Sequence, residues 1–598
     1  MIEPYGRRDT VPMLLAAGVA VAGMLWAAAA ASALLTGHAV PRHHPDGAVL
    51  AFAHLGDPSK AWHAPVGPPL LYWALTVLVF AASAAVLVVL RRVFVGDSEG
   101  RSGSAGSVVG MATRGEVQRA AGVRRLRKRG RVLRPAIAEP ARYELGYRLG
   151  RSRGADCWVS VEDSMVLLGP PRSGKGLNTV IPAILDAPGA VVTTSTRPDN
   201  LTATMRSRKR SSGPVAVFDP QQLAGLPSSL RWSPVRGCAE PHVAMARARA
   251  LCSEPSRGME NATFWSQQCY TAVRCLLHAA ALGGRAAVEL YRWSLSPIAA
   301  EDAVAILTER PEAAPAWDSA LESILAADPR QRDSTWSMVA NVFAPLADPR
   351  VLAAVSPPLG EEFDPEPFLR ERGTLYLLGT AAGASATANL VAALAEDVVE
   401  TARRLAATSA GARLDPPLAV ILDEAANYPL PSLPSLMSDG GGTGITTIVV
   451  LQSLAQARDR WGTDAAAAIW DAAIVKLILG GAGNANDLRD VSALIGTRME
   501  RRASETIGAD GRQSVSYSTH EVPLLDTGRL RTLPFGQGIV LLRSAPPNPL
   551  DLQPWTSRSV RVRRAGRIRF WRRPVTPGTY PGASVRSFPH GRGRMIRE

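Results

Sequence analysis

The sequence has few cysteines, and this shortage limits the kind of protein it can encode. None of the five forms a C-x-x-C pair, and no histidine cluster accompanies them at zinc-ligand spacing. This pattern argues against a disulfide-stabilised scaffold and against a zinc module. The cysteines are predicted to be reduced, buried thiols of a cytosolic domain: Cys157, Cys238, Cys252, Cys269 and Cys275.

Acidic residues are also scarce relative to basic ones. The chain has 67 Lys and Arg against 52 Asp and Glu, a formal net charge of +15 and a pI of about 10.1. Such an excess favours an anionic partner, either nucleic acid or a membrane surface. Because arginine greatly outnumbers lysine, the codon usage of a GC-rich genome explains the same excess. The places where charge clusters are therefore more informative than its total.

Two long apolar runs lie near the N-terminus of this 598-residue chain, at Met13–Leu35 and Leu70–Leu90. A helix needs ~20 apolar residues to cross the hydrocarbon core, and each run is long enough. Arginine pairs flank the two runs on their outer sides, whereas the loop between them holds one arginine and one lysine. The positive-inside rule then predicts a multi-pass protein of the inner (cytoplasmic) membrane with a large cytoplasmic domain. A cleaved signal peptide is the alternative for the first run, but its apolar core exceeds the usual ~7–15 residues.

Residues 93–140 are predicted to form a polar, basic linker. Its most basic stretch is VRRLRKRGRVLR, Val123–Arg134. Anionic lipid headgroups beside the membrane and the phosphates of DNA are both compatible with this composition.

A phosphate-binding loop follows a short apolar run, SMVLLG, and precedes a segment with helical spacing. In GPPRSGKGLNTV the pattern G-x-x-x-x-G-K is met at Gly169, Gly174 and Lys175, but Gly176 occupies the position of the usual hydroxyl. Backbone N–H groups of such a loop and of the following helix start bind phosphate oxygens, and the lysine reaches the β- and γ-phosphates. The predicted ATP-binding residues are Gly169, Pro170, Pro171, Arg172, Ser173, Gly174, Lys175, Gly176 and Leu177.

A second motif lies about 250 residues further on. The apolar run LAVIL ends in Asp423 and Glu424. In P-loop enzymes the strand-terminal aspartate supports Mg²⁺, and the next glutamate can polarise the attacking water. A third run, GITTIVVLQS, ends in Gln452, which either orients water near the γ-phosphate or simply caps the strand. Lys175, Glu424 and Gln452 are thus the predicted catalytic residues, and Asp423 is the predicted metal ligand.

Further β-like runs alternate with helical segments, which predicts an α/β fold with a mostly parallel sheet covered on both faces. They are residues 190–196, 215–220, 374–379, 472–480 and 538–543. Residues 240–365 are rich in alanine and show helical periodicity, which predicts an all-α insertion. Ligands of such sheets bind at the carboxyl ends of the strands, where the motifs lie.

Together these motifs resemble the coupling proteins of bacterial type IV secretion and conjugation, the TraG/TraD family, over most of residues 1–550. GPPRSGKG resembles the loop of that family, in which glycine commonly follows the lysine. The stretch GGTGITTIVVLQSLAQARDRWG, with its Gln-Ser-x-x-Gln sequence, carries the resemblance most specifically. The resemblance implies that Gly176 belongs to a working variant, and it implies a RecA-like P-loop domain interrupted by the helical insertion.

The resemblance also implies a function. Such proteins use ATP and Mg²⁺ to pass relaxase-bound single-stranded DNA, or protein substrates, to the channel proteins of a type IV secretion system. They work as homo-hexameric rings with an arginine finger, for which Arg350, Arg489 and Arg498 are candidates. Two alternatives remain open: a non-catalytic nucleotide-binding membrane adaptor, and a double-stranded DNA translocase of the chromosome-segregation type.

The predicted organisation has six parts. They are a transmembrane hairpin at 1–92, a basic linker at 93–140, two nucleotide-binding segments at 141–239 and 366–555, the helical insertion at 240–365 and a basic tail at 556–598. The tail is rich in arginine and includes Phe570 and Trp571, which suits phosphate contact and base stacking but equally a solvated tail.

Overall fold

A computed structural model describes most of the chain in two compact units, residues 1–104 and residues 105–598. The described residues are 10–42, 47–94, 110–225, 228–253, 262–358, 360–380, 387–507, 513–557, 561–564 and 567–570.

The first unit contains the two predicted apolar runs, each inside a long helix. Both helices are long and apolar enough to cross a membrane by length and composition. Two short helices lie in the loop between them. The four are α1 (Thr10–Leu35), α2 (Gly47–Ala53), α3 (Pro58–Trp62) and α4 (Pro69–Phe94).

Polar contacts fix this loop to both long helices. Ser32 of α1 donates its hydroxyl to the carbonyl of Val66 at 2.5 Å. Trp62 of α3 is buried, and its indole donates to the hydroxyl of Tyr72 on α4 at 3.3 Å. A buried tryptophan N–H needs such a partner, because leaving it unbonded costs free energy. The unit is therefore an ordered hairpin with its own small core.

The second unit is built on one sheet of eleven strands in the order β2-β1-β13-β12-β9-β3-β8-β7-β4-β6-β5. The strands from β9 to β5 are parallel, and β2, β1, β13 and β12 extend the sheet by antiparallel pairing. The bounds are β1 (Gly146–Ser152), β2 (Ala155–Ser160), β3 (Met165–Leu168), β4 (Val191–Ser195), β5 (Val215–Phe218), β6 (Thr374–Leu378), β7 (Leu418–Leu422), β8 (Ile445–Leu451), β9 (Val475–Leu479), β12 (Gln537–Leu542) and β13 (Asn548–Leu552).

Both faces of the sheet are buried, as its continuous apolar strands require. Successive residues of a strand point to opposite faces. In β3, Val166 and Leu168 accordingly join one core cluster, whereas Met165 and Leu167 join another. A parallel sheet buried on both sides has only its strand ends free for polar chemistry.

Helices cover the sheet and fill the long insertion between β5 and β6. Those before β6 are α5 (Arg114–Ala121), α6 (Val123–Lys128), α7 (Gly130–Leu133), α8 (Arg142–Leu145), α9 (Ile181–Asp186), α10 (Asp199–Ser211), α11 (Pro241–Leu251), α12 (Ala262–Leu282), α13 (Ala287–Leu295), α14 (Glu301–Glu309), α15 (Trp317–Leu325), α16 (Pro329–Phe343), α17 (Pro349–Ala354) and α18 (Pro365–Arg370). Those after β6 are α19 (Ala388–Ala407), α20 (Leu433–Thr443), α21 (Leu454–Trp461), α22 (Thr463–Ala472), α23 (Ala485–Ile495) and α24 (Thr527–Arg531). The insertion predicted at 240–365 thus carries the helices α11 to α17.

A buried charge cluster joins this insertion to the sheet domain. Asp397 of α19 is 8% exposed and pairs with Arg247 of α11 at 2.9 Å. The same carboxylate accepts the indole N–H of Trp232 at 2.9 Å and lies 3.5 Å from Arg236. The guanidinium of Arg247 also stacks over the Trp232 ring, 4.6 Å from its centroid. One carboxylate therefore holds three donors from the start of the insertion.

The structure differs from the predicted linker at 93–140. From residue 110 onward this segment folds into helices α5, α6 and α7, whose Ala121, Leu126 and Leu133 are buried in the core under the sheet. Arg134 is buried as well and pairs with Glu144 and with Asp415. The contact with Asp415 joins parts of the chain that are far apart in sequence, so local composition does not reveal it.

A long two-stranded ribbon leaves the sheet domain after α23. Its strands β10 (Thr497–Ile507) and β11 (Gln513–Pro523) pair antiparallel over their whole length. Met499, Val515 and Tyr517 share one face of it and are exposed, with Arg501 stacked on the Tyr517 ring. The ribbon was not predicted, because its strands lack apolar alternation over most positions.

Only part of the predicted basic tail lies within the described residues. Strands β14 (Arg561–Arg564) and β15 (Arg567–Phe570) pair as a short hairpin. The prediction that the tail at 556–598 binds DNA otherwise falls on residues outside the described ranges.

Candidate nucleotide-binding site

The predicted phosphate-binding loop connects β3 to the helix that follows it. The loop begins with Gly169, whose N–H donates to the carbonyl of Leu451 at 3.0 Å and so ties the loop to β8. Gly174 has a φ of +86°, and a Cβ there would lie 2.8 Å from the ring of Phe535. Both the left-handed backbone and the lack of space require glycine at this position. The remaining predicted residues, Pro170, Pro171, Arg172 and Ser173, lie between these two glycines.

The first turn of the following helix is wide. Residues Gly176–Val180 form a π-helical turn, after which α9 begins. Pro182 near the start of α9 has no N–H to donate to the preceding turn, and its ring would clash with an α-helical carbonyl there. The wider turn relieves this clash. Within this turn the N–H of Asn178 donates to the carbonyl of Gly174 at 2.9 Å, which ties the helix start to the loop.

The two carboxylates of the second motif follow β7 directly. Glu424 has left-handed backbone angles, φ 55° and ψ 48°, which are costly for a residue with a side chain and typical of functional sites. Its Oε1 lies 3.7 Å from Nζ of Lys175. Its Oε2 accepts from the hydroxyl of Thr196 at 2.7 Å and from Asn427 at 3.1 Å. The two distant motifs thus meet at one edge of the sheet.

Gln452 completes this group of side chains. It follows β8, which lies between β3 and β7 in the sheet, so the carboxyl ends of these three parallel strands are neighbours. The Gln452 amide donates to Oε1 of Glu424 at 3.4 Å. The structure therefore brings together Lys175, Glu424 and Gln452.

Asp423 lies deeper, at the end of β7. Its Oδ2 accepts from the amide of Asn200 at 3.1 Å. Burial raises the pKa of Asp423, and the nearby charge of Lys175 offsets part of this rise. Its Oδ1 is buried and has no hydrogen-bond partner among the described residues. A buried carboxylate oxygen without a donor suits a cation, so this residue fits the predicted Mg²⁺ ligand.

Lys175, like Asp423, has a charged atom without a hydrogen-bond partner among the described residues. Its ammonium is buried and makes no hydrogen bond to any described residue, although the Glu424 carboxylate lies within ion-pair distance. Oxygens of a triphosphate would satisfy its three donors. The loop, the ammonium and the aspartate together fit a nucleotide with Mg²⁺.

The space around Gly176 is open. A Cβ built on this residue would meet no atom within 4 Å. Thr179, one turn further on, has a buried hydroxyl with no hydrogen-bond partner among the described residues. The missing hydroxyl at position 176 is therefore not imposed by crowding.

Sequence reasoning missed four residues of this site, Thr196, Asn200, Asn427 and Phe535. Thr196 and Asn200 bond the two carboxylates from the segment after β4. Their signal was available, since β4 pairs with β7 and polar residues directly follow it in VTTSTRPDN. Phe535 gave no such signal, because only the tertiary fold brings it against Gly174.

The arginine-finger candidates form no hydrogen bond or ion pair with this group of side chains in the described part of the chain. Arg350 is held by Asp348 at 2.7 Å, Arg489 bonds Asn486, and Arg498 lies 3.8 Å from Glu500 at the base of the ribbon. These contacts are all local in sequence, and they do not select one donor among the three.

Comparisons with known proteins agree with this architecture. Residues 417–535 match the family model described as the TraM recognition site of TraD and TraG. No curated protein matches the chain significantly.

Two solved structures share the fold of this chain. The bacterial conjugative coupling protein TrwBdeltaN70 in its unbound monoclinic form is 16% identical, with 71% of this chain and 91% of that one covered and a TM-score of 0.50. The plasmid coupling protein TrwB in complex with a non-hydrolysable ATP analogue is also 16% identical, with 77% and 96% covered and a TM-score of 0.51. The predicted α/β fold is thereby confirmed, and so is the resemblance to the coupling proteins.

Proposed function

We propose that this chain is a membrane-anchored coupling ATPase that delivers cargo to a type IV secretion channel. The observation that carries the proposal is the convergence of Lys175, Glu424 and Gln452 at adjacent ends of three parallel strands. The shared fold with conjugative coupling proteins and the match over 417–535 support the same function.

Each residue of the site has a distinct role in this proposal. Lys175 and the loop N–H groups would bind the β- and γ-phosphates, and Asp423 would hold Mg²⁺. The metal would supply neutralisation of the negative charge of the phosphates. Glu424 orients and polarises the attacking water, and Gln452 positions Glu424 through its amide.

The resting contacts indicate how a nucleotide changes the site. Lys175 and Glu424 neutralise one another at 3.7 Å. Phosphate oxygens compete for the ammonium, and Glu424 keeps Thr196, Asn427 and Gln452 as donors when that contact is lost. Binding therefore frees the carboxylate for water without leaving it unsolvated.

The partners proposed follow from the coupling function. They are a relaxase with single-stranded DNA, the channel proteins of the secretion system, a membrane, and further copies of the chain in a homo-hexamer. The two long apolar helices would anchor it as a multi-pass protein. A protein corresponding to TraM is a further candidate, because the matched region is described as its recognition site in TraD and TraG.

Steady-state ATP hydrolysis by the full chain tests this function. The protein is measured in nanodiscs with and without single-stranded DNA, after its assembly state has been established. Turnover that rises with DNA supports the coupling ATPase. A fully assembled ring that binds ATP and never hydrolyses it contradicts the proposal and favours the adaptor.

Gly176→Ser should strengthen Mg²⁺ binding. The open space at this position accepts the side chain, and a hydroxyl would reach the place where P-loop enzymes hold the metal. A bond to a charged group is worth ~1.5 kcal/mol or more, so the Mg²⁺ concentration for half-maximal hydrolysis should fall roughly tenfold. Gly176→Ala is the matched control, since it fills the same space without an oxygen. Equal behaviour of the two variants would contradict the expectation.

Phe535→Ala should weaken ATP binding through the base. The Phe535 ring lies beside the phosphate loop, where a Cβ on Gly174 would meet it at 2.8 Å, and Phe535 is 67% exposed and so accessible to a base. Stacking of a base on an aromatic ring is worth ~1–3 kcal/mol, so the Kd for ATP should rise roughly 5- to 150-fold. The Kd for inorganic tripolyphosphate, which has no base, should stay unchanged. Phe535→Trp should retain ATP affinity, and Phe264→Ala, another exposed phenylalanine, serves as the control.

A further inference from the structure

A basic groove lies between α5, α6 and the turn that joins β1 to β2. Its volume is about 970 Å³. Six cationic side chains line it against a single carboxylate, that of Asp156. The cations are Arg114, Arg119, Arg124, Arg125, Lys128 and Arg151.

The charges of this groove are poorly compensated within the protein. Asp156 already pairs with Arg148 at 2.8 Å and lies 3.5 Å from Arg151. The other five cations form no salt bridge within 4 Å to any residue that the structure describes. Like charges gathered in a concave surface repel one another and attract an anion.

Cations outside the groove add to the positive charge that Arg125 experiences. Partial burial lowers its pKa, and the neighbouring cations of Arg543 and Arg129 lower it further, while Asp163 opposes them. A polyanion in the groove would relieve this repulsion. The groove is therefore an anion-binding site by shape and by charge.

The remaining arginines of the same basic stretch have a different role. Arg129 is paired with Glu162, and Arg134 with Glu144 and Asp415, inside the fold. The stretch Val123–Arg134 thus contains cations that hold the domain together and cations that face the groove, while Arg127 and Arg131 are exposed outside it. The cations that face the groove are available to a ligand there.

We propose that this groove binds the phosphates of anionic phospholipid headgroups. The proposal depends on the membrane anchoring proposed above but not on ATP hydrolysis. Clusters of four to eight basic residues just beyond a membrane span are typical of such binding. The groove begins only 20 residues after the end of α4 at Phe94, a reach of at most ~70 Å for extended chain.

The composition of the groove disfavours a nucleic-acid strand. No aromatic side chain lines it, so it offers no platform on which bases could stack. Gly115, Gly122 and Gly154 are among its lining residues and leave backbone accessible to a compact phosphate. A headgroup phosphate can be bound by backbone N–H groups and by the cationic side chains of the groove, without any aromatic ring.

Hydrogen exchange on the detergent-solubilised full chain tests the proposal. Short-chain phosphatidylglycerol is titrated, and protection of residues 114–128 is followed separately from the membrane helices. Phosphatidylglycerol should protect this segment, and short-chain phosphatidylcholine should not. In Arg124→Gln/Lys128→Gln the lipid concentration for half-maximal protection should rise roughly 30-fold, because each removed charge should contribute a factor of about five.

The controls separate the outcomes. Arg310→Gln/Arg330→Gln removes two exposed charges elsewhere and should leave protection unchanged. ATP hydrolysis should be unaffected by the groove variant in detergent, so failure here is distinct from failure of the proposed ATPase. Equal protection by phosphatidylcholine or by inorganic phosphate overturns the proposal. Stronger protection by a single-stranded oligonucleotide than by the lipid also overturns it, in favour of a nucleic-acid site.

Discussion

Lys175→Ala in the full chain is expected to abolish ATP hydrolysis and to weaken nucleotide binding, and Glu424→Gln to abolish hydrolysis alone. Lys175 is the buried cation of the phosphate loop, so its removal should lower kcat by about 10²–10³ and raise the Kd for ATP. Glu424 faces the place of the attacking water, and loss of a general base typically costs about 10²–10⁴ in rate. The measurement is steady-state hydrolysis together with equilibrium binding of a fluorescent ATP analogue.

The fold should survive both changes. When Lys175 is removed, Glu424 keeps the donors Thr196, Asn427 and Gln452, and Asp423 keeps its bond from Asn200. In Glu424→Gln the Lys175 ammonium keeps the nearby charge of Asp423. Lys209→Ala, an exposed lysine on α10, and Glu366→Gln, an exposed glutamate on α18, are the matched controls. Undiminished turnover in Lys175→Ala would falsify the assignment of this site.

Asp397→Ala should cause a large loss of stability of the cytoplasmic unit. The substitution leaves Arg247, whose side chain is only 2% exposed, without its carboxylate and leaves the Trp232 indole without its acceptor. Breaking one partner out of a buried ion pair typically costs about 3–5 kcal/mol. The measurement is the thermal midpoint of this unit in the full chain, followed by tryptophan fluorescence.

A second substitution distinguishes the cost of leaving the Arg247 charge unpaired from the cost of lost packing. In Asp397→Ala/Arg247→Met the stranded cation is removed too, so the double variant should regain part of the lost stability. Glu366→Gln breaks only an exposed pair with Arg370 and should leave the midpoint nearly unchanged. A midpoint for Asp397→Ala equal to that of Glu366→Gln would show that the cluster at the base of the insertion contributes little.

The nucleotide site was predictable because its signals are local. GPPRSGKG and the Asp-Glu after LAVIL each combine a strand with the residues that follow it, and parallel strands end at one edge. The same rule, applied to β4, would have found Thr196 and Asn200. This rule could not predict Phe535, because the position of its ring next to Gly174 depends on the path of the chain from α24 to β12.

The antiparallel extension of the sheet shows a different limit. β1 and β2 contain polar residues, β1 also contains glycine, and β13 contains Pro549 and an aspartate, so none of them has a long apolar run. Among the described strands β2 pairs only with the adjacent β1, but β1 joins the sheet through a strand about 400 residues away, with Gly150 opposite Leu552. Tertiary context decides such strands more than their own sequence does.

The contact between Lys175 and Glu424 has a consequence for the cycle as a whole. When product leaves, Lys175 and Glu424 can form their ion pair at 3.7 Å. Release of the nucleotide therefore does not leave the lysine ammonium without an anionic partner. The Glu424 carboxylate then takes the place of the phosphate oxygens next to Lys175. This ion pair would lower the affinity for the product nucleotide, so the proposed ATPase would release product faster in each cycle.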